Sequence, residues 1–149
     1  MKNTNHTKNY FEGISKISKK IDQKKIEKLA KALSKIKKNN GRLFFLGVGG
    51  SAGNASHAVN DFRKLCEIES YTPTDNVSEF SARINDDGWN NSFSEWLRVS
   101  KLNKKDGIFI LSVGGGSLLK KVSLNLVEAI KYAKKINSNI FGIVGRDGG

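Results

Sequence analysis

Two short apolar runs, each followed at once by a loop rich in glycine and serine, constrain the fold of this chain more than any other feature. The runs span residues 42–48 and 107–113, and the loops read GVGGSAG at 47–53 and SVGGGS at 112–117. A short apolar run bounded by glycines is typical of a strand buried on both faces of a parallel sheet. Because both loops lead into amphipathic sequence, the pattern predicts strands that alternate with helices.

Periodicity places the remaining elements. Apolar residues at three- and four-residue spacing predict two helices within residues 1–40. The first loop leads into a helix that ends near Cys66, and residues 70–74 and 139–144 predict two further strands. Between those strands the pattern predicts a short helix over 78–84 capped by Ser78, a turn at 85–88, a helix ending near Leu102, and a long helix directly after the second loop, through Leu118, Val122, Leu126, Ile130 and Ala133.

This alternation predicts the fold class, which is α/β: a three-layer sandwich in which helices flank a doubly wound parallel sheet. Two helices in residues 1–40 precede a sheet domain in residues 41–149. The 149 residues suffice for one domain. The chain stops just after a strand, so we expect the sheet domain to be C-terminally incomplete.

The net charge of +12 raises the question of a nucleic-acid partner. Residues 1–40 hold twelve lysines against three acids, and the rest of the chain is nearly balanced. The lysines lie on amphipathic helical patterns, without interleaved aromatic residues, which favours solvated helix faces over a polyanion-binding groove.

Other sequence features bear on location. No apolar run reaches the roughly 20 residues that span a membrane, and the first ten residues are polar, unlike a secretory signal. The single cysteine, Cys66, has no partner for an internal disulfide, which fits a reducing compartment. We therefore expect a cytoplasmic protein with no membrane partner.

The two glycine–serine loops favour a phosphate-bearing ligand. Glycines let the backbone approach an anion, N–H groups at a helix start point at it, and serine hydroxyls add donors. A tight turn alone can explain one such loop, but two at the same edge of a sheet favour phosphate. A dinucleotide site fits less well, because the glycines Gly47, Gly49 and Gly53 miss the G-x-G-x-x-G spacing and Glu69 is a weak candidate for the ribose. We expect no nucleotide cofactor.

The helix after the first loop carries a polar stripe. His57 and Asp61 are four residues apart and share one helix face, with Asn54 one turn and Ser51 two turns earlier. An imidazole and a carboxylate side by side suit proton transfer next to a carbonyl, or half of a zinc site. A surface ion pair is the alternative that spacing leaves open.

Four segments together resemble one family. The segment GVGGSAGNASHAVND resembles the G-N-G-G-S-x-x-x-A-x-H-x-x-E-E segment of phosphoheptose isomerases, which belong to the sugar isomerase (SIS) superfamily. Residues 85–88 resemble that family's N-D-[FY]-G, LSVGGGS resembles I-S-T-S-G-N-S, and GIVGRDGG resembles L-T-G-[KR]-D-G-G. The motifs occur in the family order and cover nearly the whole chain.

The resemblance implies a flavodoxin-like sheet of five parallel strands and a homotetramer. It also implies conversion of sedoheptulose 7-phosphate into a heptose 7-phosphate for surface-glycan precursors, with one zinc ion per subunit in many members. By position, His57 matches a zinc ligand and Asp61 the catalytic glutamate, also a ligand. The expected substrate-binding residues are Gly49, Gly50, Ser51, Asn54, Asn85, Asp86, Ser112, Gly114 and Ser117.

Departures from the family motifs qualify this assignment. Asp61 is one methylene shorter than glutamate, and Val113 and Gly114 replace two hydroxyl residues, although the Gly114 N–H can still hold phosphate. The family's catalytic histidine on a C-terminal helix has no counterpart in the sequence. The primary hypothesis is an aldose–ketose isomerase with Asp61 as base and His57 as metal ligand or polarising group. The alternative is a non-catalytic phosphosugar-binding protein on the same fold.

Overall fold

A computed structural model describes residues 5–148 and shows a parallel sheet of four strands flanked by helices. The strands are β1 (Leu43–Leu46), β2 (Ser70–Tyr71), β3 (Gly107–Ser112) and β4 (Asn139–Val144), in the order β2-β1-β3-β4. All pairs are parallel, so every strand ends at the same edge of the sheet. The α/β fold class is therefore confirmed, with four strands among the described residues where the family resemblance implied five.

Five α-helices accompany the sheet. They are α1 (His6–Lys20), α2 (Gln23–Lys38), α3 (Gly50–Lys64), α4 (Val77–Val99) and α5 (Leu124–Ile136). A 3₁₀ turn (Pro73–Asp75) connects β2 to α4. The chain divides into two compact units, one up to Ala32 and one from Leu33 onward. Within the described residues, none of the helices is both long and apolar enough to cross a membrane.

The core forms where β1 and β3 meet α4 and α5. All four residues of β1 are buried, as a strand in the middle of a parallel sheet requires. Phe44 packs edge-on against Trp96, with ring centroids 5.6 Å apart. The core cluster contains Phe44, Leu46, Phe93, Trp96, Leu97, Leu102, Ile108, Ile110, Leu126, Ala129 and Ala133.

Hydrogen bonds of the buried residue Asp106 join the amino ends of three strands. Asp106 has only 2% of its side chain exposed, and its Oδ2 lies 2.8 Å from the Arg42 Nη2. The Arg42 backbone N–H donates to Oδ1 at 2.9 Å, and the Asn103 N–H and side-chain amide donate to Oδ2. The hydrogen bond and charge of Asp106 raise the pKa of Arg42 above its usual value. The Asp106 carbonyl also accepts from the N–H of Asn139, so β1, β3 and β4 are joined here.

The predicted turn at 85–88 is wrong in part. Residues 85–87 are helical, and α4 continues across them with a break only at Gly88, where φ is 76° and ψ is 158°. Arg83 lies within 4 Å of both Glu79 and Asp87, one turn to either side, which stabilises the helix here. The helix begins at Val77, and its cap is the side chain of Asn76, which accepts from the Glu79 N–H, rather than Ser78.

The predicted start of the long helix is also wrong. Helix α5 begins at Leu124, and residues 113–123 form a loop closed by two backbone hydrogen bonds between Ser117 and Val122. Lys121 and Ser123 have φ of 52° and 48°, in the left-handed region, which a continuous right-handed helix excludes. The apolar spacing of Leu118 and Val122 therefore continued the helical pattern without a helix, and both side chains are exposed.

Candidate functional site

The first glycine loop is shaped by a close approach of α3 to the end of β1. A Cβ at Gly47 would lie 2.3 Å from the carbonyl oxygen of Ser51. Gly49 has φ of 60° and ψ of −125°, a conformation that is open to glycine and closed to other residues. Within residues 5–148, the N–H groups of Gly49 and Gly50 bond no backbone acceptor. The loop therefore presents free donors at the N-terminus of a fifteen-residue helix.

A stability prediction follows from this packing. Replacing Gly47 with alanine is expected to lower the free energy of unfolding by about 1–3 kcal/mol, because the new methyl group overlaps a backbone carbonyl that cannot move aside alone. Gly53→Ala is the matched control, since a Cβ there meets no atom within 4 Å. Urea denaturation of both variants tests this, and equal midpoints for Gly47→Ala and the unmodified protein would contradict it.

The second loop is packed against the residues that follow β4. The Ser112 hydroxyl accepts from the Gly115 N–H at 3.0 Å, which leaves its own proton available to a ligand. The Ser112 carbonyl accepts from the Gly145 N–H at 3.1 Å. Gly115 has φ of 78°, and a Cβ there would lie 1.9 Å from the carbonyl oxygen of Gly148. Glycine is therefore required where these two loops meet.

A cavity of about 250 Å³, the serine cavity, lies where these loops converge. It opens at the carboxyl edge of the sheet, where ligands bind in folds of this type. Hydroxyl groups from three segments and one guanidinium group make up its polar lining. The lining residues are Val48, Ser51, Leu111, Ser112, Val113, Gly114, Val122, Ser123 and Arg146.

Two of these residues were missed by sequence reasoning. Ser123 lies at the N-cap position of α5 and lines the cavity with Ser51 and Ser112. The resemblance selected Ser117 instead, which lies in an adjoining groove. Among residues 5–148, Arg146 supplies the one cation of the cavity lining, about 4 Å from where a Cβ at Gly114 would lie. A signal was available for Arg146, because it lies two residues after β4 and every strand of a parallel sheet ends at the same edge.

The His57–Asp61 pair forms as the spacing predicts. The His57 Nε2 lies 3.2 Å from the Asp61 Oδ2 on the face of α3. The two side chains are 78% and 43% exposed. Asp61 also accepts from the side-chain amide of Asn60 at 3.2 Å. Neither member of the pair lines the serine cavity, and Asn54, one turn closer to it, is exposed.

A zinc ion would find only two ligands here. Zinc in proteins takes three or four side-chain ligands, and His57 and Asp61 supply one nitrogen and one carboxylate. Within residues 5–148, no group of three histidine, cysteine, aspartate or glutamate residues is placed to hold a metal ion. The described residues therefore do not complete the zinc site that the resemblance implies.

Asn85 and Asp86 lie on α4, and their side chains bond to each other rather than to the two glycine loops. The Asn85 amide donates to the Asp86 carboxylate at 2.8 Å, and both residues are exposed. No hydrogen bond joins either side chain to the loops in the part of the chain that the structure describes. Asp75 connects α3 to the turn after β2, since it accepts a hydrogen bond from the Ser56 hydroxyl.

The fold and the cavity define an α/β domain whose carboxyl edge is suited to an anionic ligand. The chain belongs to the SIS domain family, whose sequence model matches residues 9–145. It is 31% identical over 117 residues to a phosphoheptose isomerase of Neisseria meningitidis, which covers 74% of this chain and 55% of that protein. It is 26% identical over 145 residues to a probable phosphoheptose isomerase of Thermoplasma volcanium, which covers 94% of this chain and 70% of that protein.

The structural comparison agrees with the family. The fold matches that of the phosphoheptose isomerase of Neisseria gonorrhoeae with a TM-score of 0.83 and 25% sequence identity. The match covers 97% of this chain and 73% of that one. This chain spans only about half the length of the first curated relatives that it matches, 55% in the Neisseria meningitidis protein.

Proposed function

We propose that this protein is a phosphosugar aldose–ketose isomerase of the phosphoheptose type. The reaction is conversion of sedoheptulose 7-phosphate into D-glycero-D-manno-heptose 7-phosphate, a precursor of surface glycans. The observation that carries the proposal is the cavity at the carboxyl edge of the sheet, lined by Ser51, Ser112, Ser123 and Arg146. The similarity to phosphoheptose isomerases over most of this chain supports the same assignment.

In this proposal the cavity holds the phosphate group of the sugar. The serine hydroxyls donate to phosphate oxygens, and the Arg146 guanidinium offsets their charge, since charge-assisted hydrogen bonds are the stronger kind. The free N–H groups of Gly49 and Gly50 and the positive end of α3 add to this at the rim of the first loop. Gly114 offers its backbone N–H in place of the hydroxyl groups that Val113 and Gly114 lack.

The His57–Asp61 pair supplies the acid–base chemistry in this proposal. The Asp61 carboxylate takes a proton from C1 of the ketose, the electrons of that C–H bond form a C1–C2 double bond, and the C2 carbonyl oxygen takes up a proton, which gives an enediol. Asp61 then returns its proton to C2, the electrons of the double bond form the new C–H bond, and the O1 hydroxyl loses its proton to become the carbonyl oxygen of the aldose. His57, 3.2 Å from Asp61, orients that carboxylate and polarises the substrate oxygens. Asn54, Asn85 and Asp86 are proposed to contact the sugar hydroxyls.

We also propose that the protein assembles as a homotetramer in the cytoplasm. One face of α1 leaves apolar side chains exposed, including Tyr10, Phe11 and Ile17, and an apolar stripe on a helix normally packs against another surface. Sedimentation measurements test the assembly, and a monomer at micromolar concentration would contradict it.

The cavity lining gives a specific prediction for the phosphate site. Ser123→Ala is expected to weaken binding of sedoheptulose 7-phosphate about tenfold, because one hydrogen bond to a charged group is lost. Ser117→Ala is the matched control and is expected to leave that affinity unchanged, since Ser117 does not line the cavity. Isothermal titration calorimetry of the two variants measures this. A loss in Ser117→Ala alone would show that the family position, rather than the cavity, identifies the phosphate ligand.

A second candidate function is phosphosugar binding without turnover. The observation that favours it is the 78% exposure of His57, which leaves the acid–base pair open to water, unlike a closed catalytic site. Calorimetry and a turnover assay on the same sample separate the two functions. Tight binding of sedoheptulose 7-phosphate without appearance of an aldose would support the binding protein and contradict the isomerase.

A further inference from the structure

Helix α4 is divided at Gly88 into two halves that are held in different ways. The second half, residues 89–99, contains all the buried residues of the helix, which are Ser92, Phe93, Trp96 and Leu97. In the first half, residues 77–87, every residue is exposed or half-buried. The second half therefore belongs to the core of the domain, and the first half rests on its surface.

The backbone at Gly88 is suited to a hinge. Its φ of 76° and ψ of 158° lie in a region that essentially only glycine adopts. A Cβ at this position would meet no atom of the described residues within 4 Å, so packing does not fix the chain here. Hinges are a few positions at the ends of elements that absorb changes in φ and ψ. The break in α4 therefore lies where the chain can turn without displacing a neighbouring side chain.

The first half of α4 is stabilised by its own side chains. Arg83 lies within 4 Å of Glu79 on one side and Asp87 on the other, and these ion pairs connect successive turns. The Asn76 side chain accepts from the Glu79 N–H and caps the start of the helix. Residues 77–87 can therefore move as one helical body without help from the core.

This half lies beside the proposed site. It follows β2, so it begins at the carboxyl edge of the sheet, where the glycine loops lie. Phe80 packs against the same core cluster as Val48, which lines the serine cavity. The turn before α4 is bonded to α3 through Asp75 and Ser56, and Ser56 directly precedes His57. Residues 77–87 are therefore close to both the phosphate cavity and the acid–base pair.

Two requirements of the proposed reaction are not met with α4 in this position. Asn85 and Asp86 are proposed to contact the sugar, yet their side chains bond to each other at 2.8 Å. His57 is 78% exposed, whereas a closed catalytic site excludes water from its acid–base groups. One movement of residues 77–87 would meet both requirements.

We propose that residues 77–87 form a lid, hinged at Gly88, that closes over the sugar of a bound phosphosugar. Closure brings Asn85 and Asp86 to the sugar hydroxyls and shields the His57–Asp61 pair from water. The inference rests on the proposed function and adds a closing step driven by the ligand. Inorganic phosphate fills the serine cavity but offers the lid no sugar to bind, so it leaves the lid open.

Tryptophan fluorescence tests closure directly, because Trp89 lies next to the hinge. Trp89 is 40% exposed, and its ring centroid lies 6.1 Å from that of Phe80 on the lid. Closure changes this contact, so saturating sedoheptulose 7-phosphate is expected to shift the emission, and saturating inorganic phosphate is not. Trp89→Phe, which leaves Trp96 as the one tryptophan, is expected to lose the shift. The same emission with both ligands, or a shift that persists in Trp89→Phe, would overturn the inference.

A substitution at the hinge gives a second test, by calorimetry. Gly88→Ala is expected to weaken binding of sedoheptulose 7-phosphate about tenfold and to leave the affinity for inorganic phosphate within about twofold, because alanine disfavours the hinge conformation while the serine cavity is untouched. Gly13→Ala is the matched control, since Gly13 is a helical glycine whose Cβ would also meet no described atom within 4 Å. Equal losses for the two ligands in Gly88→Ala, or no loss for either, would overturn the inference.

The same calorimetry separates failure of the lid from failure of the proposed function. Absence of sedoheptulose 7-phosphate binding to the unmodified protein would refute the proposed function and the lid with it. Binding of that sugar phosphate without a shift in Trp89 emission would refute the lid alone.

Discussion

Replacement of Asp61 by alanine is expected to lower kcat/KM for sedoheptulose 7-phosphate by about 10³-fold, within the range for loss of a general base. The carboxylate is the group proposed to carry the proton between C1 and C2. The Asn60 amide that donates to it has no basic atom, and His57, which bonds to it, is proposed to polarise the substrate oxygens rather than to carry this proton. The affinity for the sugar phosphate is expected to change little, because Asp61 does not line the phosphate cavity.

Two further variants make this experiment decisive. Asp61→Glu is expected to keep activity within about tenfold, because it restores the residue that the family has at this position and keeps the same acid–base group. Glu67→Ala removes an exposed acid just beyond α3 that pairs with Lys37, and it is expected to leave kcat/KM unchanged. Full activity in Asp61→Ala, with normal folding by circular dichroism, would refute the role of Asp61.

The largest effect on stability is expected at Asp106. Asp106→Ala should lower the free energy of unfolding by about 3–5 kcal/mol, the usual cost of removing one partner of a buried ion pair. The reason is that Arg42 and Asn103 both lose their acceptor, while Arg42 keeps its charge with only 23% of its side chain exposed. Chemical denaturation monitored by circular dichroism measures the change.

Asp106→Asn removes the charge of the side chain and keeps its shape, so it separates the two contributions to stability. The amide fills the same volume and keeps one acceptor, so we expect an unfolding free energy between those of the unmodified protein and Asp106→Ala. Glu67→Ala is again the control, because its pair with Lys37 is exposed and such pairs contribute little. An unchanged denaturation midpoint in Asp106→Ala would show that the network at the amino ends of the strands does not support the fold.

The sheet was predictable from sequence because its strands are short, apolar and bounded by turn residues. The last strand was predicted at 139–144 and is found at Asn139–Val144. The His57–Asp61 pair was predictable for a similar reason, since helix geometry alone brings residues four apart together. In both cases a local periodicity determines the structure without help from distant contacts.

The helix after the second loop was mispredicted because the apolar spacing of a helix can continue along the sequence where the backbone is not helical. Leu118 and Val122 match a helical stripe, yet Lys121 and Ser123 are left-handed. The turn predicted at 85–88 failed for the opposite reason. Asn and Asp are disfavoured in helix interiors, but the ion pairs of Arg83 and the packing of the Phe80 ring against Phe93, with centroids 5.8 Å apart, stabilise the helix there.

The composition of the cavity could be read from sequence only in part. Ser51 and Ser112 lie in the glycine loops, so their position followed from the strands before them. Ser123 lines the cavity because two backbone hydrogen bonds between Ser117 and Val122 bring the chain back beside Ser117 just before Ser123. Local sequence does not encode such a closure.

The network around Asp106 and the loops around Ser112 lie at opposite ends of the same strands. Asp106 directly precedes β3 and Ser112 is its last residue, so the length of that strand separates the network that stabilises the fold from the loop that meets the ligand. Side chains such as that of Ser123 can therefore be exchanged without disturbing the ion pair. The fold is therefore evolvable: loop substitutions at the carboxyl ends of the strands can change the ligand preference, while the Asp106 network at their amino ends stays unchanged.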